Sequence, residues 1–315
     1  MRIVSLDNQP IEQFTYLNAI SGGEVIEAQL PIYHGTVSEL PDGVDALIVT
    51  SDLQGVVPGT ERRKDATFGG ATDSNEETHN SVGTNAEMNS NSMRGALEDQ
   101  LLGEVLPAYV RLLLEVEWPE FDPERIGVLM CGDMYALRGK RGASGNPVPV
   151  WLAFRAAFGW VAGVHGNHDL TDEADAHRLH SVEGIHAMDG PAAMINAGTP
   201  TGGPAPSAAQ PSQLRIAGLG GIIGRPDKPG RLPAEQYLQS VRKLLKQQPD
   251  CLLLHQSPGI AELGLRGEPL IRQALEAGPE TVVFSGHTHW DTSLVELSNG
   301  TQIVNADSKL FIWTR

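Results

Sequence analysis

The chain has 315 residues and 40% apolar content, enough for one large α/β domain or two small ones. Its 23 basic against 39 acidic residues give a formal charge of -16, which repels nucleic-acid backbones and anionic lipid unless bound cations reverse the field locally. Cys131 and Cys251 lie inside apolar runs and read as buried thiols, and no run approaches membrane-spanning length, so the expectation is a soluble, cytoplasmic protein with no membrane partner.

In chain order, Arg2 to Leu6 and Glu24 to Leu30 read as short strands, with a helical turn expected around Gln9 to Ser21. Asp45 to Thr50 is a nearly continuous apolar run that breaks into a loop at Ser51-Asp52-Leu53-Gln54-Gly55, the pattern of a buried parallel strand. From about Pro58 to Arg94 the composition turns to Gly, Ser, Thr and Asn, too poor in apolar surface to offset its ordering entropy, and a flexible insertion is expected there, with His79 exposed. Ala96 to Trp118 has apolar residues at helical spacing despite Pro107. Ile126 to Cys131 is a strand ending at Gly132-Asp133. Val148 to Phe158 is a helix, and Trp160 to Val164 a strand ending in Gly166-Asn167-His168-Asp169. This alternation implies a parallel sheet with helical crossovers.

A Pro, Gly, Ala and Ser-rich stretch at 196–213 reads as a second insertion into a single domain spanning 1–315. Leu214 to Leu219 resumes a strand and runs into the glycine-rich Gly218 to Gly224. No strand-helix unit with a ribose-binding acid follows, so a turn passing close to the site is preferred to a nicotinamide-binding loop. Ala234 to Gln247 and Leu270 to Ala277 are helices. Cys251 to Leu254 and Thr281 to Phe284 are strands, ending at His255 and at Gly286-His287-Thr288-His289. Ser293 to Leu297, Thr301 to Asn305 and Leu310 to Trp313 are expected to form an antiparallel meander.

Five apolar strands thus end in residues able to bind a metal: Asp52, Asp133, Asn167, His255, and the pair His287 and His289. In an open α/β sheet ligands gather beyond the carboxyl ends of the strands, so these groups converge on one crevice. Asp, Asn and His without thiolate suit Mn, Fe or Zn, with Mn favoured, and the donors suffice for two divalent ions. Such a pair acidifies a shared water and stabilises an in-line displacement at phosphorus, so phosphoryl hydrolysis is the chemistry expected. His168 is positioned to protonate a leaving oxygen, and Asp169 to orient the imidazole.

The succession Asp52-Leu53-Gln54, Gly132-Asp133, Gly166-Asn167-His168-Asp169, His255 and Gly286-His287-Thr288-His289 resembles the calcineurin-like metallophosphoesterases, from about Asp45 to His289. The resemblance implies a four-layer α/β sandwich, two mixed sheets flanked by helices. It also implies that Asp133 bridges both ions through a centre holding a bridging hydroxide, that Asp52 and His289 hold the first ion, and that Asn167, His255 and His287 hold the second. The family pattern has Asp-x-His where this chain has Asp52-Leu53-Gln54. Gln54 is therefore taken as a weak or water-mediated ligand of the first ion, the alternative being a loop residue that only hydrogen-bonds nearby carbonyls. Tyr135 is one residue too close to Asp133 for the iron-binding tyrosine of purple acid phosphatases and reads as a packed aromatic. His165 reads as a cap of its loop, and Trp290 as a wall or floor of the crevice. The substrate expected is a small phosphorylated molecule, monoester or diester, and not a nucleic-acid polymer. The alternative is a non-catalytic metal-binding scaffold of the same fold.

Overall fold

Ala46–Ser51, Ile126–Met130 and Trp160–Gly163 are buried on both faces almost throughout, which a strand can be only at the centre of a covered sheet. They pair in parallel, Ala46 beside Ile126 and Gly127 beside Trp160, and Ile185–Ala187 continues the series. The computed structural model describes residues 1–59, 98–188, 193–197 and 214–315. The insertions expected at 58–94 and 196–213, and His79, lie almost wholly outside these residues.

The segment expected to be a helical turn is a strand. Glu12–Ala19 pairs antiparallel with Val25–Val37, joined by a turn in which Gly22 and Gly23 take φ of 93° and 84°. The competing principle was period two: Phe14 and Tyr16 alternate with polar residues, and the glycine pair supplies the left-handed conformations a tight turn demands. The meander is also corrected. Leu294–Glu296 and Gln302–Asn305 do pair antiparallel, but Lys309–Thr314 crosses into the first sheet, lying parallel to Val25–Val37 and antiparallel to Ala46–Ser51. Its six residues are all buried, and burial on both faces fits the middle of a sheet better than the edge a meander would have given it.

The second sheet runs Leu214–Leu219, Cys251–Gln256, Val282–Gly286 and Gln302–Asn305, all parallel. Side-chain alternation then builds the layers. Leu47, Val49, Leu129, Val164, Leu253, Phe284 and Trp313 fill the space between the two sheets. Ile48, Val128 and Ile312 face the other way, against Leu106 and Val110 of the helix Leu102–Glu117 and Trp151 and Phe154 of Val148–Ala157. Behind the second sheet, Leu252, Leu254 and Val283 meet Tyr237, Val241 and Leu244 of Ala234–Leu245 and Ile271 and Leu275 of Pro269–Glu276. The result is the expected sandwich of two mixed sheets between helices. Among the described residues no helix is long and apolar enough to cross a membrane.

Candidate metal centre

Both sheets direct the carboxyl ends of their parallel strands to one crevice of about 880 Å³, whose walls include Asp52, Gln54, Asp133, His168, His287 and His289. Asn167 and His255 are buried at that edge. Asp52, Asp133 and His287 have φ of 54°, 58° and 67°, a conformation that costs a side-chain-bearing residue about 1–2 kcal/mol. Glycines make room around them. A methyl group on Gly166 would collide with the Asp133 carboxylate, and one on Gly286 with Ser51 and the Asp52 carboxylate.

The centre of the arrangement is His255. Its Nδ1 lies 2.8 Å from the Cys131 carbonyl, which only accepts, so that nitrogen carries a proton and Nε2 presents its lone pair in the neutral ring. Nε2 faces Asn167 Oδ1 at 3.2 Å and Asp133 Oδ2 at 3.5 Å. Without metal a proton on Nε2 serves both oxygens, and a divalent cation can take the place of that proton. Donors bonded to one ion at about 2.0–2.2 Å stand roughly 3–3.5 Å apart, the spacing found here. His287, its ring 5.0 Å from that of His255, completes a group with Asp133 and His255 whose donor atoms all fall within 4.8 Å. The residues fit a divalent ion.

The protein's own charges agree. Burial, then repulsion from Asp307, pushes the Asp52 carboxyl well above the usual range, and His255 and the Ser51 hydroxyl only partly offset this. Burial and the neighbouring His255 push His287 down to about 4, so it stays neutral and able to donate. Burial opposes charge on His255 too, but the Asp133 carboxylate outweighs it and raises the pKa to about 10. In metal-stripped protein the His255 proton therefore contributes stability that is fully present below about pH 6.5 and is lost as pH rises through about 10. A divalent ion must displace that proton. Its affinity, measured by titration at several pH values, should rise about tenfold per pH unit between 7 and 9; a flat profile would remove His255 from the ligand set.

The structure places Asp169 elsewhere than expected. Its Oδ2 accepts from the backbone N–H of Asp133 at 2.7 Å and Gly166 at 2.9 Å, and its Oδ1 from Met134 at 2.8 Å. That carboxylate ties the Asp133 loop to the Asn167 loop and leaves the His168 ring alone. The partner of His168 Nδ1 is the Ser144 hydroxyl at 3.0 Å, with Gly142 beside the ring. The His168 backbone N–H in turn donates to Asp133 Oδ1 at 2.9 Å. Sequence reasoning missed Ser144, which no motif marks.

Gln54 donates through Nε2 to Asp133 Oδ2 at 3.1 Å, the hydrogen-bonding alternative to ligation. His289 is more than half exposed and meets Asp307 through Nδ1 at 3.3 Å. Tyr135 packs against Gly145, His165 lies beside Trp151, and Trp290 is buried, with its indole N–H donating to the Arg266 carbonyl at 2.6 Å. Gly221 donates to the His165 carbonyl at 2.9 Å, so the glycine-rich stretch is a turn passing close to the site.

A family model described as calcineurin-like phosphoesterase matches residues 104–291. That span contains Asp133, Asn167, His168, His255, His287 and His289; Asp52, Gln54 and Asp307 lie outside it. No curated protein matches the chain. Among solved structures, TT1561 of Thermus thermophilus is 14% identical, with 84% of this chain and 90% of that one covered and a TM-score of 0.49. The Thermus thermophilus sulfate thiohydrolase SoxB in complex with glycerol is 16% identical, with 65% and 37% covered and a TM-score of 0.33.

Proposed function

This chain belongs to the calcineurin-like phosphoesterase family, and on that premise we propose that it hydrolyses a small phosphorylated substrate, monoester or diester, at a pair of divalent cations. The observation that carries the reading is the convergence of Asn167 Oδ1, Asp133 Oδ2 and His255 Nε2, with His287 beside them. When bound, two such ions acidify a shared water and neutralise charge building on the phosphoryl oxygens.

The chain's own groups take the remaining roles. Asn167, His255 and His287 would hold one ion and Asp52 and His289 the other, with Asp133 available to both. His168 lines the crevice with Nδ1 committed to Ser144, which leaves Nε2 to give a proton to the departing alkoxide. Lys140, Arg141 and Arg266 line the same crevice, although the chain as a whole is acidic, while Arg138 beside them is paired with Asp99 at 3.1 Å. Lys140, Arg141 and Arg266 would draw an anionic substrate toward a crevice that Asp52, Asp133, Asp291 and Asp307 also line.

Gln54, donating its amide N–H to Asp133, is the observation on the side of a non-catalytic scaffold. Metal-stripped protein assayed on chromogenic monoester and diester substrates decides between them, with Mn, Fe, Zn or Mg returned one at a time. Turnover is expected to return with a transition metal, Mn above the others. Protein that binds two ions and cleaves neither ester would make the scaffold the better reading.

A further inference from the structure

We propose that Asp307 is a ligand of the first cation, in place of the imidazole that position 54 does not supply; this rests on the two-cation reading above. Asp307 follows the strand Gln302–Asn305, which lies parallel to Val282–Gly286, so its loop opens on the sheet edge that carries His287 and His289. A bridge between Ser51 and Asp307 also ties this loop to the residue before Asp52. The loop of Asp307 is thereby tied on one side to the end of the strand that leads into Asp52, and on the other it reaches His289.

The side chain of Asp307 is only 13% exposed, yet it forms no ion pair with a lysine or arginine among the described residues. Lys309, the nearest in sequence, is committed to the Trp290 carbonyl at 2.6 Å and to Asn305 at 3.4 Å. The close partner of Asp307 is His289, Nδ1 to Oδ1 at 3.3 Å. That is long for a charge-assisted hydrogen bond, about 2.7–2.9 Å. It matches the separation of neighbouring donors around an ion, and it matches the 3.2 and 3.5 Å spacings around His255 Nε2. Gln54 meanwhile turns an N–H, which has no lone pair to give, toward Asp133. Asp52, His289 and Asp307 then form an oxygen-rich set that suits Mn better than Zn.

The test counts ions. Full-length wild type, Asp307→Ala and Gln54→His/Asp307→Ala are dialysed against Mn, and bound metal per chain is measured with calorimetric affinities. Wild type should bind two ions. Asp307→Ala should lose the weaker by more than the ~10–100-fold that removal of an outer-shell partner costs, and Gln54→His should restore it in the double variant. Asp307→Asn, which keeps the shape and drops the charge, should weaken the same ion if the alanine variant does not fold. Wild type and both Asp307 variants holding two ions at equal affinity would overturn the assignment. So would an Asp307→Ala effect that vanishes in a His289→Ala background, which would make Asp307 a positioning residue. Wild type holding fewer than two ions would overturn the two-cation reading, and this assignment with it.

Discussion

His168→Ala is expected to lower turnover about 10²–10⁴-fold, the usual contribution of a positioned general acid. Metal content should be unchanged, because the ring of His168 is not among the proposed ligands and its backbone N–H, which steadies Asp133 at 2.9 Å, survives the substitution. The loss should be smaller on substrates with acidic leaving groups, which depart without a proton, and this dependence separates an acid from a residue that only binds. Ser144→Ala removes the hydroxyl at Nδ1 and should cost far less. If His168→Ala released an ion or acted equally on every leaving group, the general-acid role would be lost.

Asp169→Ala should be the most damaging substitution to the framework. It deprives three backbone N–H groups, those of Asp133, Met134 and Gly166, of an acceptor, and each unmet buried donor costs about 1–3 kcal/mol. A loss of roughly 3–9 kcal/mol in urea unfolding is expected, with metal content falling as the two loops separate. Asp169→Asn keeps one acceptor oxygen and should fall between. An asparagine variant with full stability and full metal content that lost only turnover would return Asp169 to a direct role at His168.

The strand-end rule accounts for most of what could be read in advance. Asp52, Asp133, Asn167, His255, His287 and His289 each follow, or end, an apolar run of parallel-strand character, and that pattern is local. Asp307 sits in the same position after Gln302–Asn305 and escaped because no motif surrounds it. The pairing of His168 with Asp169 failed because the Asp169 carboxylate is taken by the backbone N–H groups of Asp133, Met134 and Gly166, a long-range demand that the tetrapeptide itself does not announce. Glu12–Ala19 was legible in its alternation and misjudged. The place of Lys309–Thr314 was not legible, since nothing in six buried residues states which of two sheets will take them.

That last strand has a consequence for how the protein is made. Lys309–Thr314 fills the slot between Val25–Val37 and Ala46–Ser51, and Arg315 bonds to the Leu40 carbonyl across 275 positions. A ribosome adding about 5–20 residues per second would leave the two flanking strands waiting on the order of tens of seconds for the one that joins them. Through that interval each shows an open hydrogen-bonding edge, the template on which chains aggregate. The first sheet, with Asp52 at its rim, is therefore completed only after the parallel strands of the second sheet have been made, and protection of the nascent chain over that period should govern how much active protein a cell recovers.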